Sequence, residues 1–230
     1  MLIRLVCATR ADEGEFFKAT ALGRSLVHFL PYKGQFDLRV AYKNAESLSV
    51  VFNRAIDEAA GQDLIFAFMH DDIHLCDVHW PSRVREAMAR FDIAGVVGNR
   101  RRVPRQPSWA LLLNGDKIEW DQSENLSGAV GHGSGFPPKQ IDIYGPSPAQ
   151  VKLLDGLMLM VKSSTLRETG LRFDERFRFH FYDMDFCRQA EAKDLRLGTW
   201  PLSLIHESQG NFGDGGWLEQ FGDYLRKWSE

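Results

Sequence analysis

Apolar residues in the first half of the chain follow two alternating patterns. Short continuous apolar runs occupy residues 2–8, 36–42, 63–69 and 93–97, and each has the length of a strand. Between these runs, apolar residues recur every three or four positions, which is the spacing of one helix face. Strands that alternate with amphipathic helices predict parallel crossovers and a layered α/β sheet.

The predicted helices have recognisable ends. The first covers residues 16–30 and stops at Pro31, because proline cannot continue a helix. The second begins after Ser47, whose hydroxyl can cap free backbone amides, and ends at Gly61. The third covers residues 81–90, with a proline as its first residue.

The second half is less regular. Asn114 and Gly115 lie between two apolar segments and predict a hairpin, since both central positions of its turn need positive φ. Four glycines within residues 128–135 predict a mobile loop or a plain connection. Apolar runs at residues 153–160 and 202–206 predict two more strands, and the aromatic face of residues 217–228 predicts a helix.

Composition narrows the class of protein. The chain has 230 residues, 44% of them hydrophobic, which is enough to bury a substantial core in one domain. A net charge of -3 gives no global attraction to nucleic acid or to an anionic membrane, so we look for a small anionic ligand. The three widely spaced cysteines predict reduced thiols and a cytoplasmic protein. No run of about 20 apolar residues occurs, so we expect no membrane span.

Polar residues with the chemistry of a metal site follow the third apolar run. Residues 63–69 lead directly into His70, Asp71 and Asp72, and parallel sheets bind ligands beyond the carboxyl ends of their strands. Because side chains alternate along a strand, His70 and Asp72 share one side and Asp71 faces the other. Asp72 is the better metal ligand, for Mg²⁺ or Mn²⁺ bridging a diphosphate. The alternative is a polar turn after a buried strand.

Four further residues carry potential chemistry. Asp155 interrupts an apolar run, where a carboxylate without a partner is costly. Asp183 and Asp185 lie near a predicted helix start, where the helix dipole favours anions, although capping alone explains one of them. His206 ends the last apolar run, as His70 ends an earlier one, although a single histidine there is more often structural.

Taken in order, these elements resemble the nucleotide-sugar glycosyltransferases of family 2, which have the GT-A fold. The resemblance extends from about residue 2 to residue 206. It rests on the acidic triplet, Asp155-Gly156, the segment 170–175, Tyr182 to Arg188, and His206. Two positions depart from the family. Its triplet is usually Asp-X-Asp, and here His70 stands first; its Glu-Asp pair before the helix is here Tyr182-Asp183.

The resemblance implies a fold and a reaction. The fold would be a single α/β domain over residues 1–230, with a mixed, mainly parallel sheet flanked by helices. Residues 1–98 would bind the nucleotide, and residues 99–230 would hold the acceptor and the catalytic groups. The reaction would move a sugar from a nucleoside-diphosphate sugar to the hydroxyl of a saccharide or other acceptor, with Mn²⁺ or Mg²⁺. Inversion is favoured, and retention stays open.

The resemblance also implies a role for each site residue. Asp183 would be the catalytic base, and Asp155 would hold the donor sugar or the acceptor. The metal ion would be held by Asp72 with His206, and His70 would tune the choice of metal towards Mn²⁺. The residues that would contact the nucleotide are Thr9, Arg10, Asn44, Asn53 and Asp71. For Asn53, a structural bond to the backbone is an equal alternative.

Three other functions fit parts of the sequence. A nucleotidyltransferase would use a similar sheet, but residues 9–13 lack the glycine-rich, basic loop that such enzymes carry after the first strand. A metal-dependent hydrolase would use His70, His74 and His79, which would need a helix to converge. A non-catalytic nucleotide-sugar-binding protein would keep Asp72 and lose the base.

Overall fold

The computed structural model describes residues 1–32, 34–115, 117–208, 213 and 215–229. The helices are α1 (Glu13–Ala19), α2 (Ala21–Leu26), α3 (Leu48–Glu58), α4 (Trp80–Arg90), α5 (Ser163–Thr169), α6 (Tyr182–Glu191) and α7 (Gly215–Trp228). The strands are β1 (Leu2–Ala8), β2 (Phe36–Ala41), β3 (Leu64–Met69), β4 (Ile73–Leu75), β5 (Ile93–Gly95), β6 (Gly98–Asn99), β7 (Leu111–Asn114), β8 (Lys117–Trp120), β9 (Leu126–His132), β10 (Gln140–Gly145), β11 (Ala149–Val151), β12 (Leu153–Leu154), β13 (Met158–Lys162), β14 (Leu197–Thr199) and β15 (Leu204–His206).

The main sheet is mixed and has seven strands in the order β11-β14-β5-β13-β3-β1-β2. β1 pairs in parallel with β2 and β3, and β14 pairs in parallel with β5. In contrast, β13 runs antiparallel to both β3 and β5, and β11 runs antiparallel to β14. Every residue of β3 is buried, as its unbroken apolar run predicts. The predicted mixed α/β class with flanking helices is therefore confirmed.

A second sheet brings the ends of distant strands together. Its order is β12-β6-β9-β15-β4, with β10 paired to β9. β15 runs antiparallel to β4, so His206 lies opposite Ile73. β15 also runs parallel to β9, which places His206 opposite His132. Because Ile73 directly follows Asp72, this register carries His206 to the carboxyl end of β3.

Buried aromatic rings hold β3 in place. Phe52 of α3 lies with its ring centroid 4.9 Å from that of Phe68 and 5.1 Å from that of Phe173. Trp80 of α4 packs edge-on against Phe36, with the ring centroids 5.1 Å apart. Large rings contribute most of the apolar area that a core buries. The polar residues after Met69 therefore start from a rigid strand.

Several predicted elements are confirmed. β1, β3 and α3 occur as predicted, and the Ser47 hydroxyl accepts a hydrogen bond from the Val50 amide at 3.3 Å as the cap of α3. Gly61 follows α3 with a φ of +79°, a conformation that glycine adopts freely. Within the described ranges, no helix is both long enough and apolar enough to cross a membrane.

The helix predicted over residues 16–30 is divided in two. Thr20 ends α1 and begins α2, because its hydroxyl donates to the Phe16 carbonyl and accepts from the Gly23 amide, both at 2.9 Å. A Cβ on Gly23 would lie 2.1 Å from the Phe16 carbonyl oxygen, so the break depends on this glycine. Pro31 lies inside a 3₁₀ helix that continues to Tyr32, and does not stop the helical segment.

The glycines predicted to form a mobile loop lie partly in a strand. Gly128 and Gly131 belong to β9, and a Cβ on Gly128 would meet the Val96 carbonyl oxygen at 2.1 Å. Close approach of two backbones is thus the physical reason for glycine here. The hairpin prediction is confirmed, but Asn114 pairs with Lys117 inside the strands, so the turn begins one residue later, at Gly115.

The strand predicted over residues 153–160 is also two strands in two sheets. β12 pairs with β6, whereas β13 pairs with β3 and β5. The chain leaves the first sheet at Asp155, whose amide donates to the Val97 carbonyl at 3.1 Å. The intervening Asp155-Gly156 pair therefore lies in a connection beside the end of β3, not within a continuous strand.

Candidate functional site

His70, Asp72 and His206 form a group that can hold a metal ion. One ligand atom from each lies within 4.8 Å of the others. The Nε2 atom of His206 is 3.2 Å from Oδ2 of Asp72, and Nδ1 of His70 is 3.9 Å from Oδ1 of Asp72. That Oδ1 atom is buried and accepts no hydrogen bond from the described residues. A buried carboxylate oxygen without a partner, facing two imidazoles, fits a divalent cation.

Tyr182 orients His70 for this role. The Tyr182 hydroxyl donates its single hydrogen to the Gly156 carbonyl at 2.9 Å, so it accepts from His70 Nε2 at 2.8 Å. The proton of neutral His70 is then on Nε2, and the lone pair on Nδ1 faces Asp72. Fixing the free ring nitrogen in this way is how proteins orient metal-binding histidines.

The protonation states of the three residues differ. Burial opposes ionisation of Asp72, but the hydrogen bond and charge of His206 prevail and lower the pKa of Asp72 to about 2. Burial alone would lower the pKa of His206, but its bond to Asp72 raises it above the usual value. Burial lowers the pKa of His70. Asp72 therefore remains an anion, while His206 must lose a proton before it can bind a metal.

Asp183 lies in the first turn of α6, on the other side of Tyr182. Its carboxylate accepts hydrogen bonds from the Gly156 amide at 2.9 Å and the Met184 amide at 2.8 Å. Removal from water and the nearby charge of Asp155 raise the pKa of Asp183 to about 7. A carboxylate with that pKa accepts a proton near neutral pH far better than an ordinary aspartate does.

Gly156 joins the two groups. Its carbonyl accepts a hydrogen bond from Tyr182, which orients His70, and its amide donates a hydrogen bond to Asp183, the candidate base. A Cβ at this position would lie 2.2 Å from the Tyr182 hydroxyl oxygen. Glycine is therefore required for this close approach.

The chain is similar to solved structures over most of its length. The structure of GalNAc-T7 with UDP, GalNAc and Mn²⁺ aligns with a TM-score of 0.51 and 12% identity, over 98% of this chain and 48% of that one. The fold is that of the GT-A glycosyltransferases. A197 from STIV aligns with a TM-score of 0.47 and 10% identity, over 94% of this chain and 100% of that one. S. aureus TarS 1-349 aligns with a TM-score of 0.46 and 11% identity, over 90% and 60%.

The chain thus spans about half the length of the GalNAc-T7 structure, with which it shares the GT-A fold. No protein-family model and no curated protein matches the sequence.

Within this GT-A fold, the predicted nucleotide residues divide into two groups. Thr9, Asp71 and Asn44 lie together, because the Thr9 hydroxyl bonds the Asp71 carboxylate and the Thr9 carbonyl accepts from the Asn44 amide at 2.8 Å. Burial raises the pKa of Asp71. Arg10 is exposed beside this group. Asn53 lies elsewhere and bonds the backbone of Phe173 in both directions, at 2.9 and 3.1 Å, which is the structural alternative for this residue.

Other predicted residues are also located by the structure. Asp155 lines the same cavity as Asp183, and its carboxylate accepts from the Leu157 amide at 2.8 Å. His74 and His79 are outside the metal-capable group found among the described residues, which gives no support to the hydrolase alternative.

The cavity of this site has a volume of about 420 Å³. His70, His206, Asp155 and Asp183 line it, together with residues that the sequence did not single out. Among these are His132 and Asp142, with His132 Nε2 3.2 Å from Asp142 Oδ2, and aromatic side chains on both sides of the β7–β8 hairpin. Tryptophans that flank a predicted hairpin are the sequence signal that would have pointed to them.

Proposed function

We propose that the protein is a metal-dependent glycosyltransferase that moves a sugar from a nucleoside-diphosphate sugar to an acceptor hydroxyl with inversion. This proposal depends on one observation: residues that can bind a metal ion and a residue that can accept a proton line the same cavity. Residues His70 and His206 line it on the metal side, and Asp183 lines it as a carboxylate with a pKa of about 7. The GT-A fold supports the same reaction class.

His70, Asp72 and His206 would hold Mn²⁺ or Mg²⁺. When bound, the metal ion supplies positive charge that stabilises the departing diphosphate. A neutral His70 with its proton on Nε2 and an ionised Asp72 are the forms that can bind a cation. The two histidines favour Mn²⁺ over Mg²⁺, because imidazole suits Mn²⁺ better than it suits the harder ion.

Asp183 would act as the base. An acceptor hydroxyl transfers its proton to the Asp183 carboxylate while its oxygen forms a bond to the anomeric carbon. The bond from that carbon to the diphosphate oxygen breaks, and its electron pair leaves with the diphosphate. A single displacement of this kind inverts the anomeric centre and needs one base. Asp155 would bind hydroxyl groups of the donor sugar or the acceptor beside it.

The group of Thr9, Asp71 and Asn44 would bind the nucleoside. It lies where β1 and β3 end, next to the metal-binding group in sequence but not among the cavity-lining residues. This arrangement supports a donor whose base and ribose bind at the strand ends while its sugar reaches the cavity. Arg10 is exposed beside this group, where its side chain could reach such a ligand.

Calorimetric titration tests the donor site. UDP, GDP and CDP are titrated into the protein with and without Mn²⁺, and into Asp72→Ala and Asp63→Ala variants. Asp63 is a suitable control because it immediately precedes the first residue of β3, at the end of the strand away from Asp72, and pairs with Arg167. We expect one nucleoside diphosphate to bind only with Mn²⁺, and Asp72→Ala alone to lose that binding. Absence of binding by all three would contradict the proposed function.

A further inference from the structure

An aromatic wall, formed by Trp109, Trp120 and Tyr144, lines the outer part of the same cavity. The Trp109 ring packs edge-on against Tyr144 at a centroid distance of 5.1 Å. The Trp120 ring lies nearly parallel to Tyr144, at 5.9 Å and 21°. The reaction as proposed assigns none of these residues a role.

Exposure of Trp120 is the unusual feature of this wall. Its side chain is 62% exposed, whereas Trp109 is 7% exposed. An indole ring is among the largest apolar surfaces that a side chain offers, so leaving it in water forgoes a large hydrophobic gain. The side chains of His70 and His206, at 21% and 16% exposure, lie deeper. Of the wall residues, Trp120 thus lies nearest the mouth of the cavity.

The hairpin end that carries Trp120 is held by several hydrogen bonds. Asp121, directly after Trp120, is buried and accepts hydrogen bonds from Asn99 at 2.8 Å, Asn125 at 3.0 Å and the Arg101 Nε at 3.0 Å. Charge-assisted bonds of this kind fix the end of β8. A binding surface that is already ordered loses little entropy when a ligand binds.

Polar groups lie beside these aromatic faces. Gln140, Asp142 and Ser108 line the cavity together with the wall. A pyranose ring has a face of C–H groups that packs on an aromatic ring, and hydroxyl groups at its edge that bond to amides, carboxylates and hydroxyls. The Gln140 amide donates to the Asp142 carboxylate, so these two groups are already ordered. A saccharide offers several hydroxyl groups that can bond their remaining amide proton and carboxylate lone pairs, whereas an alkyl alcohol offers one.

We propose that the acceptor is a saccharide whose pyranose ring stacks on Trp120 and Tyr144 at the mouth of the cavity. This inference rests on the proposed function for the identity of the second substrate. The nucleoside of the donor is assigned to the Thr9 and Asp71 group, which does not line the cavity, so it does not compete for the aromatic wall.

An oligosaccharide array tests the proposal without metal or nucleotide. The wild-type protein, Trp120→Ala, Trp120→Phe and Ile118→Ala are applied to the same immobilised oligosaccharides. Ile118 is the matched control, because it lies on the same strand, is 45% exposed and is outside the cavity lining. We expect the wild type to bind a subset of the array, Trp120→Ala to bind that subset about tenfold more weakly, and Trp120→Phe and Ile118→Ala to retain binding.

Two outcomes of the array would overturn the proposal: no binding to any oligosaccharide, or equal binding by the wild type and Trp120→Ala. Calorimetry with the nucleoside diphosphates and Mn²⁺ is repeated on Trp120→Ala. Unchanged nucleotide binding supports an acceptor role for the wall. A loss of nucleotide affinity as large as the loss of saccharide binding would assign the wall to the donor and overturn the proposal. Because the array needs no nucleotide, a saccharide result stands even where the donor site fails its own test.

Discussion

Asp72 and Asp183 occupy two regions of one site and have opposite acid strengths. Both are partly buried, and burial by itself raises the pKa of each. Asp72 receives a hydrogen bond and positive charge from His206, and its pKa falls to about 2. Asp183 has the negative charge of Asp155 beside it, and its pKa rises to about 7.

The difference shows how neighbours divide two chemical roles between identical side chains. The Asp72 pocket keeps a permanent anion, which suits a cation ligand. The Asp183 pocket keeps a carboxylate near the midpoint of its titration, which suits proton transfer. Tyr182 and Gly156 hold the two pockets at a fixed separation.

The largest expected effect follows from Asp183→Asn. An amide cannot accept the acceptor proton, so we expect kcat to fall by about 10²–10⁴-fold, the usual contribution of a general base. Nucleoside-diphosphate affinity measured by calorimetry should stay the same. Asp63→Asn is the control, since Asp63 pairs with Arg167 and is outside the cavity lining. Near-normal turnover by Asp183→Asn would show that another group removes the proton.

The pH dependence of transfer comes next in size. Because Asp183 must be ionised to accept a proton, and is about half ionised at pH 7, kcat/KM should fall about 5-fold between pH 7 and pH 6 and about 50-fold between pH 7 and pH 5. The profile is measured at saturating Mn²⁺, so that protonation of His206 does not limit metal binding. Residual activity of Asp183→Asn should lack this acidic limb. A wild-type profile that is flat from pH 5 to 7 would contradict the assignment.

Tyr182→Phe tests the connection between the pockets. Phenylalanine keeps the ring packing but loses the hydroxyl that fixes the tautomer of His70, so Mn²⁺ affinity should fall about tenfold or more. Calorimetric titration with Mn²⁺ measures this, and the midpoint of thermal unfolding checks the fold. Tyr144→Phe is the control, because Tyr144 lines the cavity and its ring packs against Trp109 and Trp120, not against a metal ligand. Equal affinity in both variants would remove Tyr182 from the metal site.

The two pockets also differ in how far the sequence predicts them. The run from Leu64 to Met69 and the polar residues after it are adjacent in the chain, so strand alternation alone anticipates Asp72 and His70. Convergence of His206 depends on the pairing of β15 with β4, which the sequence does not encode locally. The role of His206 as a metal ligand is implied by the resemblance to a known family.

The Asp183 pocket depends on contacts between residues about 26 positions apart. Residues 153–160 read as one strand, because apolar runs carry no sign of a change between sheets. The structure instead turns at Gly156, which lets the Tyr182 hydroxyl bond its carbonyl. Tyr182 stands where the glycosyltransferase family that the sequence resembles has a glutamate, next to the candidate base Asp183. Its contacts show that it supports His70, and only a three-dimensional structure reveals that partner.

The smallest expected effects are on stability without metal, and they should have opposite signs with pH. The folded-state pKa of Asp72 lies below its ordinary value of 3.8, so its stabilisation is present above about pH 4 and is lost as the pH falls towards 2. Asp72→Asn should therefore lower the free energy of unfolding by on the order of 1 kcal/mol at pH 5, with little difference near pH 2.

Asp183 has a raised pKa, so the folded state holds its proton more tightly and loses stability as the pH rises from about 4 to 7. Asp183→Asn should remove that decline. Urea unfolding with a chelator at pH 3, 5 and 8 measures both variants, and parallel pH dependences would mean that the two carboxylates share one environment.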